Sequence, residues 1–277
     1  MRIANLAGRA TIVTDAGGVD VATASGGRFG PDLHAVYDDW AAFRAAAPGL
    51  TGDAVRIDET LLGPPAPRPT QVFAIGLNYR AHAAESGAAI PGTPATFTKF
   101  PTCLTGPFAD VALPSGHVDW EVELVLVIGA RAERVAEADG WDHVAGVTVG
   151  QDLSERVVQF AAGGQFCLGK SYPGFGPTGP WLVTSDELDH PDDLALGCSV
   201  DGEVVQDSRT SDMAFTVPQL IAELSAVLPL LPGDIVFTGT PSGVGVARTP
   251  PRFLEAGQLL ETTIEGIGTI RNRMVAP

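Results

Sequence analysis

An α+β fold dominated by β-structure is predicted for this 277-residue chain: a Greek-key-like roll over residues 71–277, preceded by a small α+β module over residues 1–62. Three observations carry the prediction. Short runs rich in Val, Ile, Thr and Phe, bounded by Gly, Pro and Asp turns, recur along the sequence. They do not alternate with helices as repeated βαβ units, which argues against a Rossmann domain or a (β/α)8 barrel. Gly63-Pro64-Pro65-Ala66-Pro67-Arg68-Pro69 is a stiff stretch between the two parts, so residues 63–70 are the expected linker.

The N-terminal module offers strand candidates at 3–6, 10–14 and 19–24. Asp32 then caps a helix with Leu33, Val36, Tyr37, Trp40 and Phe43 on one face, stopped by Pro48-Gly49. The main part opens with a buried strand at 71–76 that ends in glycine. The following segment, Leu77-Asn78-Tyr79-Arg80-Ala81-His82-Ala83-Ala84-Glu85, turns into a helix on which His82 and Glu85 are neighbours. Such a pair is either a surface ion pair or an oriented general base. Residues 93–116 read as Pro/Gly-rich loops around one short strand at 95–99, whose Lys99 faces either a site or solvent.

The central strand, 119–129, is apolar and β-branched in its second half. Glu121 and Glu123 project from one face of it, because strand side chains alternate. Two carboxylates about 5 Å apart repel by roughly 3 kcal/mol at an effective dielectric of about 20. They require a raised pKa, a basic partner or a bound cation, unless that end of the strand faces water. A further buried strand, 144–149, runs into Gly150-Gln151-Asp152, and residues 152–160 are helical in pattern. Asp152 fits an N-cap there, with Glu155 at N3. Its place at the end of a buried strand also lets it join the Glu pair as a third oxygen ligand. Three carboxylates completed by water suit Mg²⁺ or Mn²⁺, with Ca²⁺ as a third candidate, and no tight His/Cys cluster points to zinc.

Gly164-Gln165-Phe166-Cys167-Leu168-Gly169-Lys170-Ser171 matches the P-loop pattern letter for letter. A working P-loop needs a strand before it and a helix after it. Here a helix tail precedes it and Tyr172-Pro173-Gly174-Phe175-Gly176-Pro177 follows, so a nucleotide site is rejected. Lys170, fixed in this loop, remains available as a cation for a developing oxyanion. Further on come a hairpin at 196–200 and 203–206 around Asp201-Gly202, an apolar helix at 217–228, a strand at 235–238 and a closing hairpin at 259–264 and 269–275. The turn Gly239-Thr240-Pro241-Ser242-Gly243-Val244-Gly245 exposes backbone N–H groups and the Thr240 hydroxyl. It is either a seat for a carboxylate or an ordinary loop.

The formal net charge of -16 argues against a nucleic-acid or anionic-membrane partner and favours cations. Cys103, Cys167 and Cys198 are odd in number and lie far apart, as reduced thiols do. No signal-type segment and no run of eighteen apolar residues occurs, so a cytoplasmic protein is expected.

Taken in order, Gly76 to Glu85, Asp119-Trp120-Glu121-Val122-Glu123-Leu124, Gln151-Asp152-Leu153-Ser154-Glu155-Arg156, Gly169-Lys170-Ser171, Gly179-Pro180-Trp181 and Gly239 to Gly245 resemble the fumarylacetoacetate hydrolase family. The resemblance covers about residues 71–275. It implies a mixed β-roll, a homodimer, a divalent metal and a small keto-acid substrate. Glu121, Glu123 and Asp152 would be the metal ligands. His82 and Glu85 would activate water, on a segment that orders with substrate, and Lys170 would polarise a substrate oxygen. Thr240, Arg156, Gln159, Tyr79 and Arg80 would bind the substrate. The implied reaction is hydrolysis of a C–C bond in a 1,3-dicarbonyl acid such as an acylpyruvate. Decarboxylation, tautomerisation or isomerisation, and hydration of a related acid are the nearest alternatives, and a non-catalytic metal- or small-molecule-binding protein is the rival of another class. Gln151 stands where the family usually has Asn, Val157 where an acid commonly follows the Arg, and residues 171–175 replace a more acidic stretch. These departures bear on the substrate, since the three acids are intact.

Overall fold

The computed structural model describes residues 1–114, 116–161 and 163–277. Among the described residues, one large mixed sheet runs through the molecule. Its order is Gly17–Asp20, Arg9–Thr14, Arg2–Leu6, Gly176–Val183, Val144–Gln151, Val122–Ile128, Ile235–Phe237, Val72–Gly76 and Ala95–Thr98. Most neighbours are antiparallel, but Ile235–Phe237 runs parallel to Val72–Gly76, with Ile235 opposite Val72. A second sheet takes the order Glu203–Arg209, Ala195–Val200, Leu259–Ile264, Gly268–Val275 and Val111–Ala112. The strand-rich α+β class expected from the sequence is the one found.

Period-two alternation in the Val122–Ile128 strand builds two cores. Val122, Leu124, Leu126 and Ile128 face the second sheet and the Val217–Val227 helix, meeting Leu196, Leu260, Leu220 and Ile221. Val125 and Val127 face the other way, onto Leu33, Val36, Tyr37, Trp40 and Phe43 of the N-terminal helices. Glu123 shares this second face. It lies beyond the area those helices cover, where the sheet opens toward Phe97 and the loop after Phe237.

The N-terminal strand Arg2–Leu6 pairs with Gly176–Val183, Ile3 opposite Leu182, so the first residues extend the same sheet. Through the Pro-rich stretch, Gly63 pairs with Asn5, Tyr37 Oη donates to Pro65 O at 2.9 Å, and Pro65, Ala66 and Pro69 are buried.

Four local expectations are corrected. The strand expected at 19–24 stops at Asp20, whose carboxylate accepts from Thr23 N at 2.8 Å and starts the helical turn Val21–Ala24. The helix capped by Asp32 is real, with Asp32 Oδ1 accepting from Ala35 N at 3.0 Å. It breaks at Asp39 (φ -128°, ψ 45°) into Leu33–Asp38 and Trp40–Ala46. The central strand is interrupted: Val118–Asp119 pairs with Ser154–Glu155, and the long strand begins at Val122. The helix expected over 152–160 begins only at Arg156, so of the two roles open to Asp152 the N-cap is not the one it takes. Glu155 takes that part for the helix Arg156–Ala161, its Oε2 accepting from Val158 N at 2.6 Å, which leaves Asp152 free for other work. No helix among the described residues is long and apolar enough to cross a membrane.

Candidate metal centre and ligand cavity

Glu121, Glu123 and Asp152 converge. Each offers a carboxylate oxygen within 4.8 Å of the others, and all three side chains are buried. Adjacent antiparallel strands bring them together: Val122 pairs with Gln151, and Asp152 N donates to Glu121 O at 2.9 Å. The Gln151 side chain stitches the corner, accepting from Glu121 N at 2.8 Å and donating to Thr262 Oγ1 at 2.9 Å.

Three buried cations surround the acids. Lys170 Nζ lies 2.6 Å from both Glu121 Oε2 and Asp152 Oδ2. Arg156 Nη1 lies 2.8 Å from Glu121 Oε1, while its Nε and Nη2 grip Asp119 Oδ2 at 2.8 and 2.6 Å. Lys99, whose direction was open in the sequence, is buried. Its Nζ donates to Asp152 Oδ1 at 2.6 Å, to Phe175 O at 3.2 Å and to Lys170 O. All three N–H bonds of Lys99 are thereby used, whereas Lys170 spends two on carboxylates and lines the cavity.

The charges are unevenly matched, and the protonation of the acids follows. Burial pushes the Glu121 carboxyl up, but Lys170 and Arg156 outweigh it and bring its pKa down to about 2. Glu123 moves the other way. Burial, then Asp152 and Glu121, hold its pKa well above the usual carboxylate range, and Lys170 with the Gly239 N–H at 2.8 Å offsets only part. Burial works against the charge of Lys170 and of Arg156 too, yet the neighbouring carboxylates prevail and raise both. Four carboxylates thus face three cations, with Glu123 the ill-matched one. A hard dication among the triad would remove that mismatch, and an all-oxygen donor set is what Mg²⁺, Mn²⁺ or Ca²⁺ prefers. The residues present fit a divalent metal.

The loop after Phe237 closes the other side. Gly239 has φ +100°, and a Cβ there would stand 2.8 Å from Asn78 Cβ and 3.0 Å from Ile75 O, so only glycine lets its N–H reach Glu123. Thr240 Oγ1 accepts from Gln206 Nε2 at 2.9 Å, which frees its own O–H to donate into the cavity. Asp119 holds the end of the loop, accepting from Gly245 N at 2.7 Å and Val246 N at 2.9 Å. At the rim, His82 Nδ1 lies 3.2 Å from Glu85 Oε2, and Glu85 Oε1 accepts from Gly243 N at 2.9 Å.

Some of these groups line a cavity of about 260 Å³. Of the residues singled out in the sequence, His82, Glu121, Glu123, Arg156, Gln159, Lys170 and Thr240 line it. Asp152 lies beneath, in the triad, and Glu85 stands behind His82. Tyr79 and Arg80 do not line it. The Tyr79 phenol is buried with no hydrogen-bond partner among the described residues, and burial, Glu123 and Asp212 hold it protonated. Arg80 Nη1 donates to Met213 O at 2.7 Å. Sequence reasoning gave no part to Asp119, Gln206, Phe97 or Phe166, and left Lys99 undecided.

Residues 71–275 match the fumarylacetoacetate (FAA) hydrolase C-terminal family. Mitochondrial oxaloacetate tautomerase Fahd2a of Rattus norvegicus is 43% identical over 213 residues, 76% of this chain and 68% of that protein. An HpcE-like protein from Mycobacterium smegmatis superposes with a TM-score of 0.97 at 52% identity, covering 100% of this chain and 99% of the other. Maleylpyruvate hydrolase from Sphingobium sp. SYK-6, solved with manganese(II) and pyruvate, superposes with a TM-score of 0.80 at 31% identity, covering 100% and 99%. From its acidic triad to its closing loop, this chain belongs to the fumarylacetoacetate hydrolase family.

Proposed function

We propose that the protein is a divalent-metal-dependent hydrolase that cleaves a C–C bond in a 1,3-dicarbonyl acid of the acylpyruvate type. The observation that carries this reading is that two assemblies border one small cavity. The acid triad with Lys170 lies on one side and the His82–Glu85 pair at the rim. Mg²⁺ or Mn²⁺ held by Glu121, Glu123 and Asp152 would supply Lewis acidity that stabilises negative charge on the oxygens of the 2-oxo acid, worth several kcal/mol.

The chain's own groups do the rest. The Thr240 O–H and the loop N–H groups orient the substrate carboxylate, with Gln159 beside them. Glu85 accepts from His82 Nδ1–H, fixing the tautomer that leaves Nε2 basic. Nε2 takes a proton from water as the oxygen attacks the distal carbonyl carbon. Lys170 directs its remaining N–H at the developing charge. The bond between the distal carbonyl carbon and the methylene carbon then breaks, and its electron pair is protonated. One water is consumed, and a carboxylic acid and a 2-oxo acid are released.

Tautomerisation is the second reading, favoured by the 43% identity to an oxaloacetate tautomerase. It would use the same anion stabilisation and the same His82 proton transfer without attack by water. Acetylpyruvate and the enol form of oxaloacetate, each given to one Mn²⁺-loaded preparation, separate the two. Hydrolysis releases acetate and pyruvate, and His82→Asn or Glu85→Gln should lower kcat by 10²–10⁴-fold, the usual range for an acid–base group. Loss of the enol absorbance with no acetate formed would reject hydrolysis in favour of tautomerisation.

A further inference from the structure

The wall of the cavity away from the acids is aromatic. Lys170 Nζ lies 5.2 Å from the centre of the Phe97 ring. Phe166 packs edge-on against Phe97 at 5.6 Å, and Phe160 edge-on against Phe166 at 6.1 Å. Exposure rises along this run, from buried Lys170 through half-buried Phe97 and Phe166 to Phe160 at 54%. The three rings come from different segments: a sheet-edge strand, the end of the Arg156–Ala161 helix, and the Gly-rich loop that looks like a P-loop. The rejected motif therefore still contributes to the site, by carrying Phe166 and Lys170.

Cations are as telling by their placement. Those lining the cavity, among the described residues, are His82, Arg156 and Lys170. Each is committed to a carboxylate of the protein: His82 to Glu85, Arg156 to Asp119 and Glu121, Lys170 to Glu121 and Asp152. Lys170 stands at the Phe97 end of the run, and among the described residues no cation lies over the Phe166 or Phe160 ring. A second carboxylate on a substrate reaching past Lys170 would lie against half-buried Phe166 with no second cation over the ring, and it would lose water there without gaining a partner. An apolar acyl or aryl group there would instead bury surface against them.

We infer that the cavity takes 2-oxo acids with a single carboxylate and an apolar tail, with Phe97, Phe166 and Phe160 as the residues that select the tail. This rests on the keto-acid reading above and narrows it to monocarboxylic substrates.

The test separates binding from turnover. With Mn²⁺-saturated protein, calorimetry compares 2-oxo-4-phenylbutanoate with 2-oxohexanedioate, neither of which has the second ketone needed for cleavage. The phenyl acid should bind at least tenfold more tightly. Phe160→Arg, at an exposed position that tolerates charge, and Phe166→Arg should each narrow or reverse that ratio by tenfold or more. In parallel, kcat/KM is measured for 2,4-dioxo-4-phenylbutanoate and 2,4-dioxohexanedioate. If the binding order holds but neither dioxo acid is cleaved, the hydrolase reading falls and the selectivity stands. Cleavage with equal or tighter binding of the dicarboxylate overturns the selectivity alone. Absence of binding by either 2-oxo acid overturns both, and an unchanged ratio in both arginine variants removes the aromatic run as its cause.

Discussion

Glu123→Gln should stabilise the metal-free protein while abolishing metal binding, because Glu123 is the acid its surroundings match worst. Two carboxylate neighbours within 4.8 Å each oppose its ionisation by about 3 kcal/mol at an effective dielectric of about 20, and Lys170 cancels roughly one of them. Its pKa is raised in the folded chain, so the unfolded chain gives up this proton first. The stability contributed by neutral Glu123 is complete below the ordinary carboxylate range. It is lost as pH rises toward the folded-state pKa, by up to about 1.4 kcal/mol per pH unit. Glutamine has no proton to lose. In urea titrations with EDTA, the variant's advantage should widen as pH rises from 5 to 7, since the unfolded chain loses this proton before the folded one. Mn²⁺ at a hundred times its Kd should then reverse the order, adding about 2.7 kcal/mol to the natural chain and nothing to the variant. A stability difference that stays flat with pH, or equal stabilisation of both proteins by Mn²⁺, would refute the assignment of Glu123 as a ligand strained in the absence of metal.

Two other substitutions probe the supports of the site. Lys99→Met strands Asp152 Oδ1 and two carbonyls in the interior, and breaking such a buried pair costs about 3–5 kcal/mol. At about 2–4 °C per kcal/mol this is a fall in Tm of roughly 6–20 °C in EDTA, read by thermal scanning; an unchanged Tm would mean that Lys99 does not secure the third ligand. Gly245→Ala puts a methyl group into Arg252 O and within 2.7 Å of Asp119 Oδ1. A loss of about 1–3 kcal/mol in urea unfolding is expected, together with a higher KM as Asp119 loosens its hold on Arg156, and a variant with both values intact would contradict that link.

What the sequence revealed and what it hid divide by range. The Asp32 cap, the Asp201-Gly202 hairpin, with φ 50° and 84°, and the alternation of the central strand depend on residues a few positions apart, and all were legible. Asp20 was read as strand, and Asp152 was left with two roles, cap or ligand, because an Asp near a helix start has several local partners and which it takes depends on the surrounding fold. The parity of Glu121 and Glu123 put both on one face, but the loop that meets Glu123 is more than a hundred residues away in the chain. Lys99 was undecidable for the same reason: its acceptors lie 53, 71 and 76 residues along the chain. Phe97 and Phe166 gave no signal, since isolated aromatics in Gly-rich stretches form a wall only after folding.

The strand that carries Glu123 has one sheet neighbour close in sequence, Val144–Gln151, and the other far off at Ile235–Phe237. During synthesis its second edge therefore stays open until residues 235–237 have left the ribosome. Over that interval a nascent chain presents an apolar, β-branched ribbon with unpaired N–H and C=O groups, a template for association with other chains. Fragments ending before the 235–237 segment should accumulate as aggregates, whereas those that include it can close the sheet.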